Sequence, residues 1–457
     1  MQWTNCFSSE RFGVDHTKSP QRTEFERDWD RLVFSSAFRR LQNKTQVFPL
    51  PEEVFVHNRL THSLEVASVG RSLGTMVGIG LAEMPEIKAD AEASSFYREH
   101  LKSVISAACL AHDLGNPAFG HSGEDAISRY FRSREGDPDF RALFSETEWA
   151  DLIRFEGNAN ALRILTRAFR GRMPGGFRLT YSTLGALIKY PCSALASQGK
   201  KGPLHRKKYG FFQSDRMVFE DVVQHLGMIP DPEVPDSWFR HPFVYLVEAA
   251  DDICYSIIDV EDAHRLGIFS LEKVSDLFLR LLASNPKEDM AKVRNTFSEL
   301  KADPNEGVNY LRAKAINYLT NRCSEIFLSN APELISGRFT GDLMGKIKEA
   351  RPVLDEISDA SVKHIYNHSS VNRIELAGYQ IMHGLVGDLV EAALRPHNER
   401  ENMQAKLISL IPGQYVFQES DSPYEKVMCL FDFISGMTDP YALKLYRNIR
   451  GIEIPSI

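Results

Sequence analysis

Cysteine is scarce and scattered in this 457-residue chain: six residues, at 6, 109, 192, 254, 323 and 429, with no CxxC pair. A cysteine-ligated zinc cluster and a disulfide scaffold are therefore excluded. The pattern instead predicts reduced core thiols in a cytoplasmic protein. Long hydrophobic runs are missing too; none approaches the roughly 18 residues a membrane span needs. The first ten residues have no basic start followed by an apolar stretch, so no secretory leader is expected. Positive charge is not in excess. Lys and Arg total 54 against 61 Asp and Glu, a net charge of -7. No global basic field advertises nucleic acid, and an anionic ligand would need a local positive pocket. Walker loops, GxSxG elbows and GxGxxG turns do not occur, and no repeat period is visible.

Helical periodicity is abundant, and strand-like alternation is rare. Residues 1–22 are polar with little periodicity and are expected to form an extended, partly mobile arm. Helical spacing then predicts helices over 22–44, 59–77, 104–111, 121–132, 158–170, 215–226 and 243–265. Gly78 and Gly80 are expected to close the second of these. Further helices are predicted over 270–284, 287–301, 306–329, 340–349, 371–394 and 439–449. The segment 46–53, with two prolines, reads as a loop. The segment 171–213 is the least regular, with half a hairpin suggested at 178–181 and a basic patch from Lys200 to Lys208. The class is all-α. The chain divides into an arm (1–22), a core (23–269, with the irregular insertion 171–213) and a helical C-terminal region (270–457) packed on that core.

The chemistry concentrates where the apolar run Val104–Ala111 ends in His112-Asp113. Four side chains suit one divalent cation: His62, His112, Asp113 and Asp251. Two imidazoles and two carboxylates are compatible with Mn²⁺, Mg²⁺, Fe²⁺, Ni²⁺ or Zn²⁺, leaving positions for water or a substrate oxygen. Each lies on an otherwise apolar helix, where a buried charge needs a partner. Asp252 is also a carboxylate in reach. Asp251 is preferred because Tyr255 and Asp259 follow it at i+4 and i+8 on one helix face. His121 and Glu124, three residues apart, can hydrogen-bond; a carboxylate partner orients an imidazole for proton transfer.

Longer strings accompany these residues. They include Arg40-Leu-Gln-Asn-Lys-Thr-Gln46, Asn58-Arg-Leu-Thr-His62, His112-Asp-Leu-Gly-Asn-Pro-Ala-Phe-Gly-His121-Ser-Gly-Glu124, Phe155-Glu-Gly-Asn158, Glu248-Ala-Ala-Asp251-Asp-Ile-Cys-Tyr255 and Ser435-Gly-Met-Thr-Asp439. Together they resemble the HD-domain phosphohydrolases, and within them the bacterial dGTP triphosphohydrolase branch, over roughly residues 20–450. The resemblance implies an HD-domain helical bundle that hydrolyses a deoxynucleoside triphosphate to deoxynucleoside and inorganic triphosphate. It implies one metal ion per subunit on His62, His112, Asp113 and Asp251, with His121 and Glu124 as the catalytic pair. Gln46 and Asp259 would grip the 3′-hydroxyl, Tyr255 would pack on the sugar, and Val47 would crowd C2′. Arg59 and Lys189 would neutralise the triphosphate, and Tyr190 and Asn158 would also bind the substrate. A homo-oligomer, with a hexamer favoured, also follows from the resemblance. It leaves room for a nucleotide or single-stranded DNA effector, although no motif marks either. The competing readings are another HD phosphohydrolase (a 5′-nucleotidase or a signalling-nucleotide phosphodiesterase) and a non-catalytic nucleotide or DNA-binding scaffold.

Overall fold

The structure is a computed structural model that describes residues 1–14, 22–48, 57–169 and 174–454. The parts of the expected arm, proline loop and insertion at 15–21, 49–53 and 171–173 lie outside the described residues. Among those described, the protein is all-α, with only isolated bridges such as Arg11 to Thr180 and no strands.

The centre is a helix pair. The helix Arg59–Ala82 packs along Leu101–Ala111, whose residues 104–111 are all buried. Gly70, Gly74 and Gly78 repeat every four residues and so form one stripe on the first helix. A Cβ there would come 2.4 Å from Cys109 Sγ at Gly70, 2.8 Å from Lys102 Cα at Gly74 and 2.1 Å from the Tyr97 carbonyl at Gly78. These glycines therefore serve close helix approach. For that reason the helix does not stop at Gly78 and Gly80 but runs on to Ala82. A third long helix, Val244–Arg265, crosses Arg59–Ala82 and also packs on Pro304–Ser329.

Several local expectations are corrected. The helix expected over 22–44 is broken. Glu24–Val33 ends at Phe34, and Ser35 caps a new helix, Ser36–Arg40, by accepting from Phe38 N. The suggested half-hairpin at 178–181 instead leads into a helix, Tyr181–Leu187, capped by Thr180. Only a single short turn, Met344–Lys346, stands where 340–349 was expected to be helical. Helices that went unpredicted include Glu146–Leu152, Arg351–Ala360, Asn402–Ser409 and Pro423–Ser435.

Residues 1–14 are packed on the body. Trp3 and Cys6 are buried, and Phe7 stacks on Phe96 with ring centroids 4.0 Å apart. The buried His241 imidazole donates through Nε2 to the Cys6 carbonyl at 2.8 Å, and burial pushes its pKa down to about 4. Arg11 donates to Asp28 Oδ1 at 2.7 Å, while the other Asp28 oxygen accepts from Thr180 and Thr183.

Two apolar cores result. One gathers the central helices with residues from Trp3 to Val371. The other joins Gly120–Ser133 to the C-terminal helices Ser369–Leu394, Pro423–Ser435 and Asp439–Ile449, while Gly157–Thr166 contributes to both, with Ala159 in this core and Ala161, Leu162 and Leu165 in the first. The two meet at the loop between Ala111 and Gly120. All six cysteines are buried and unpaired. Among the described residues, no helix is long and apolar enough to cross a membrane.

Candidate metal and phosphohydrolase site

Three helices deliver three ligand atoms to one point. His62 sits in the first turns of Arg59–Ala82, His112 caps Leu101–Ala111, and Asp251 lies on Val244–Arg265. Asp251 Oδ1 is 3.1 Å from His62 Nε2 and 3.5 Å from His112 Nε2. One donor atom from each of the three residues lies within 4.8 Å of the others. Bonds of about 2.0–2.2 Å to one ion put neighbouring donors roughly 3.0–3.5 Å apart, so the set fits a divalent cation.

The His112 ring makes the stronger case. Its Nδ1 donates to the Cys109 carbonyl at 2.6 Å, which fixes the proton on that nitrogen. In the neutral ring, the form that binds a metal, its Nε2 then carries a lone pair, and that atom is buried without a hydrogen-bond partner. An orphaned buried acceptor costs about 1–3 kcal/mol unless something fills the role. Burial alone would lower the His112 pKa, but the Asp113 and Asp251 carboxylates outweigh it and raise it to about 9. Asp251 is held well below the usual carboxylate range: burial opposes this, and the two imidazoles win. The field that keeps a proton on His112 is the field a cation would feel.

Asp113 stands beside this trio. Its Oδ1 is 3.6 Å from His112 Nε2 and accepts from Asn116 Nδ2 at 2.5 Å, while its Oδ2 accepts from Arg59 Nη1 at 2.7 Å. Asp252 faces a different group: burial raises its pKa to about 8, with Lys189 opposing and Glu248 and Asp251 adding to the rise.

A cavity of about 660 Å³ opens over these atoms, in the range of small-molecule sites. Its wall includes Gln46, Val47, Arg59, Asn158, Lys189, Tyr190 and Tyr255. Gln46 Oε1 and Arg59 Nε are buried with no partner, so both are free to meet a ligand. Lys189 pairs with Glu248 at 3.3 Å. Asn158 donates to Glu156 Oε1 at 2.6 Å, and Glu156, not Asn158, caps the helix.

His121 projects into the open, with 84% of its side chain exposed, and its Nδ1 lies 2.8 Å from Glu124 Oε2. The other Glu124 oxygen accepts from Gly157 N at 2.8 Å. Burial would raise the Glu124 pKa, but the His121 bond and the Lys208 charge bring it below its ordinary value. Its neighbour Glu156 goes the other way, raised by burial and by the Glu124 charge. The chain reaches His121 through a left-handed pair, Phe119 (φ 60°) and Gly120 (φ 55°). A Cβ at Gly120 would come 2.7 Å from the Arg59 guanidinium.

Asp259 does not stand alone on its helix face. It is buried and accepts from the Tyr366 hydroxyl at 2.7 Å, and burial raises its pKa to about 8. Tyr366 lines the cavity and stacks on Tyr255 with centroids 5.5 Å apart. Tyr366 and the cavity residues Lys207, Lys208 and Glu375 escaped sequence reasoning. Lys208 belongs to the basic patch of the irregular segment, and it pairs with Glu156 at 3.0 Å.

Comparison with known proteins bears on this geometry. An HD domain matches residues 59–171, the stretch carrying His62, His112 and Asp113, and a phosphohydrolase-associated domain matches 346–448. A deoxyguanosinetriphosphate triphosphohydrolase-like protein of Synechocystis is 37% identical over 99% of this chain and 100% of its own. The chain belongs to the deoxyguanosinetriphosphate triphosphohydrolase family. A protein from Pseudomonas aeruginosa named as triphosphohydrolase-like is 35% identical over 100% of both chains. A deoxyguanosinetriphosphate triphosphohydrolase of Yersinia enterocolitica is 30% identical over 94% of each.

Proposed function

We propose that the protein is a metal-dependent deoxynucleoside triphosphate triphosphohydrolase, acting on dGTP or several dNTPs. The observation that carries this reading is the unpartnered His112 Nε2, beside Asp251 and His62, at the foot of a cavity whose wall also carries Arg59, Lys189, Lys207 and Lys208. His62, His112, Asp113 and Asp251 would hold one divalent ion per subunit, with Mn²⁺, Mg²⁺, Fe²⁺, Ni²⁺ and Zn²⁺ all suited to the donor set. When bound, that ion supplies Lewis-acid polarisation of the α-phosphate and makes water a better nucleophile.

The protein's own residues do the rest. Arg59, Lys189, Tyr190 and Asn158 bind and orient the triphosphate, whose charge Arg59 and Lys189 offset. Water attacks the α-phosphorus, the bond to the 5′-oxygen breaks, and the proton balance passes through His121 Nε2. Glu124 holds the His121 ring by Nδ1, so Nε2 faces the reacting atoms. Gln46 receives the 3′-hydroxyl on its free oxygen, with Asp259 acting alongside through Tyr366. Tyr255 flanks the sugar. Val47 crowds C2′ and disfavours a ribose hydroxyl by bulk.

Six buried, unpaired thiols favour the cytoplasm. A homo-oligomer, with a hexamer favoured, and a nucleotide or single-stranded DNA effector complete the reading, as does the division at residues 22 and 269. The test is incubation of purified protein and Mn²⁺ with each dNTP and with GTP, products read by chromatography. Inorganic triphosphate and deoxynucleoside are expected, with GTP spared. Release of orthophosphate or pyrophosphate would point to a different HD activity.

A further inference from the structure

The string Ser435-Gly-Met-Thr-Asp439 lies in the C-terminal region, far from the ligand helices in sequence, yet it grips two segments of the site. Asp439 is 4% exposed. Its Oδ2 accepts from Thr45 N and its Oδ1 from Phe119 N, each at 2.9 Å. Thr45 immediately precedes Gln46 and Val47, and Phe119 stands two residues before His121. The Ser435 carbonyl accepts from Lys44 Nζ at 2.8 Å, and the same ammonium donates to the Asn116 carbonyl at 2.5 Å. Asn116 in turn donates to Asp113.

Phe119 needs holding. A non-glycine residue at φ 60° costs of order 1–3 kcal/mol and persists only where its surroundings fix it. Gly378 of the helix Ser369–Leu394 provides the room: a Cβ there would come 2.5 Å from the Phe119 ring. The Asp439 carboxylate provides the bond.

We propose that Asp439, assisted by Lys44, is a positioning residue: it sets the Phe119–His121 turn and the Gln46–Val47 wall in register across the cavity. The C-terminal region thereby completes the site without touching substrate. The inference rests on His121 as the proton-transfer group, and the test separates the two.

The experiment is a double-mutant cycle of Asp439→Asn with His121→Ala, alongside amide hydrogen exchange of the full chain. The asparagine keeps the shape and one acceptor oxygen, so the fold survives while one of the two backbone donors is released. Asp439→Asn is expected to lower kcat about 10- to 100-fold, as misplacement of a reacting group does, with bound metal unchanged. If the Phe119 amide is the one that loses protection, that loss should nearly vanish in the His121→Ala background, since the group being positioned is gone. If the Thr45 amide is, the loss should instead persist there and appear in KM for the dNTP and in discrimination against GTP, through Gln46 and Val47. Unchanged protection of both amides, or an equal loss in both backgrounds with the Phe119 amide released, would overturn the inference and leave His121 in place. Full turnover by His121→Ala alone would remove the His121 role, and the catalytic part of the inference with it.

Discussion

Asp251 Oδ1 stands 3.1 Å from His62 Nε2 across 189 residues of chain. Stability does not account for this placement, since a well-packed apolar pair would hold the two helices at least as firmly. Asp251→Ala should therefore abolish metal retention, and Asp252→Ala should leave about one ion per chain. Elemental analysis of the purified variants checks this. Loss of metal from Asp252→Ala alone would mean that the helix register is misread.

His121 and Glu124 are bonded at 2.8 Å, with His121 facing the open cavity. His121→Ala should reduce kcat by about 10²–10⁴-fold, the usual worth of a general acid or base. KM and bound metal should change little, because His121 is not one of the proposed ligands. Glu124→Gln should cost less, since a carboxamide still bonds the ring but stabilises its charged form poorly. Steady-state kinetics on one dNTP gives both numbers.

Stability should depend on pH through Asp151. Burial pushes this carboxyl up to about 7; the bonds from Gln213 N and the Tyr424 hydroxyl pull it down only partly, and the Asp215 charge adds to the rise. A pKa raised in the folded state favours folding while the proton is on. That contribution is complete below about pH 4, the value in the unfolded chain, and is lost as pH rises through about 7. At most it amounts to about 4 kcal/mol. Asp151→Asn should therefore gain on the wild type as pH rises from 5 to 8. Thermal unfolding of the two proteins at each pH measures the difference.

The glycine stripe predicts a contrast. Alanine in a helix interior is favoured over glycine by roughly 1 kcal/mol. At Gly80 the added methyl meets only the end of the Leu328 side chain, which can swing aside, so Gly80→Ala should be nearly neutral. At Gly78 it meets the Tyr97 carbonyl at 2.1 Å, which is backbone. Gly78→Ala should lose about 1–3 kcal/mol by forcing the helices apart. Urea midpoints of the two variants decide it.

Much of the architecture was legible in the chain because amphipathic helices announce themselves by spacing, as Gly120–Ser133 and Leu271–Ala283 do. What was not legible has physical causes. Ser35 interrupts a helix whose apolar spacing continues across the break, so periodicity alone runs straight through. Gly78 carries the mark of a helix end but is used for packing. Pro423–Ser435 is buried on every side, so no stripe reveals it; its Pro423 at the first turn was the available cue. At the site, His62, His112 and Asp251 converge, while Asp113, the fourth ligand expected, stands beside them with its Oδ2 on Arg59. Tyr366 and Lys208 could not be found that way, because they reach the cavity from segments without pattern. Only the folded chain brings Tyr366 to Asp259 and Lys208 to Glu156.

The most direct test of the central claim is hydrolysis of a dNTP in ¹⁸O-labelled water, with both products weighed by mass spectrometry. Attack at the α-phosphorus predicts one ¹⁸O in the inorganic triphosphate and none in the deoxynucleoside. Label in the deoxynucleoside, or release of orthophosphate or pyrophosphate in place of triphosphate, would contradict it.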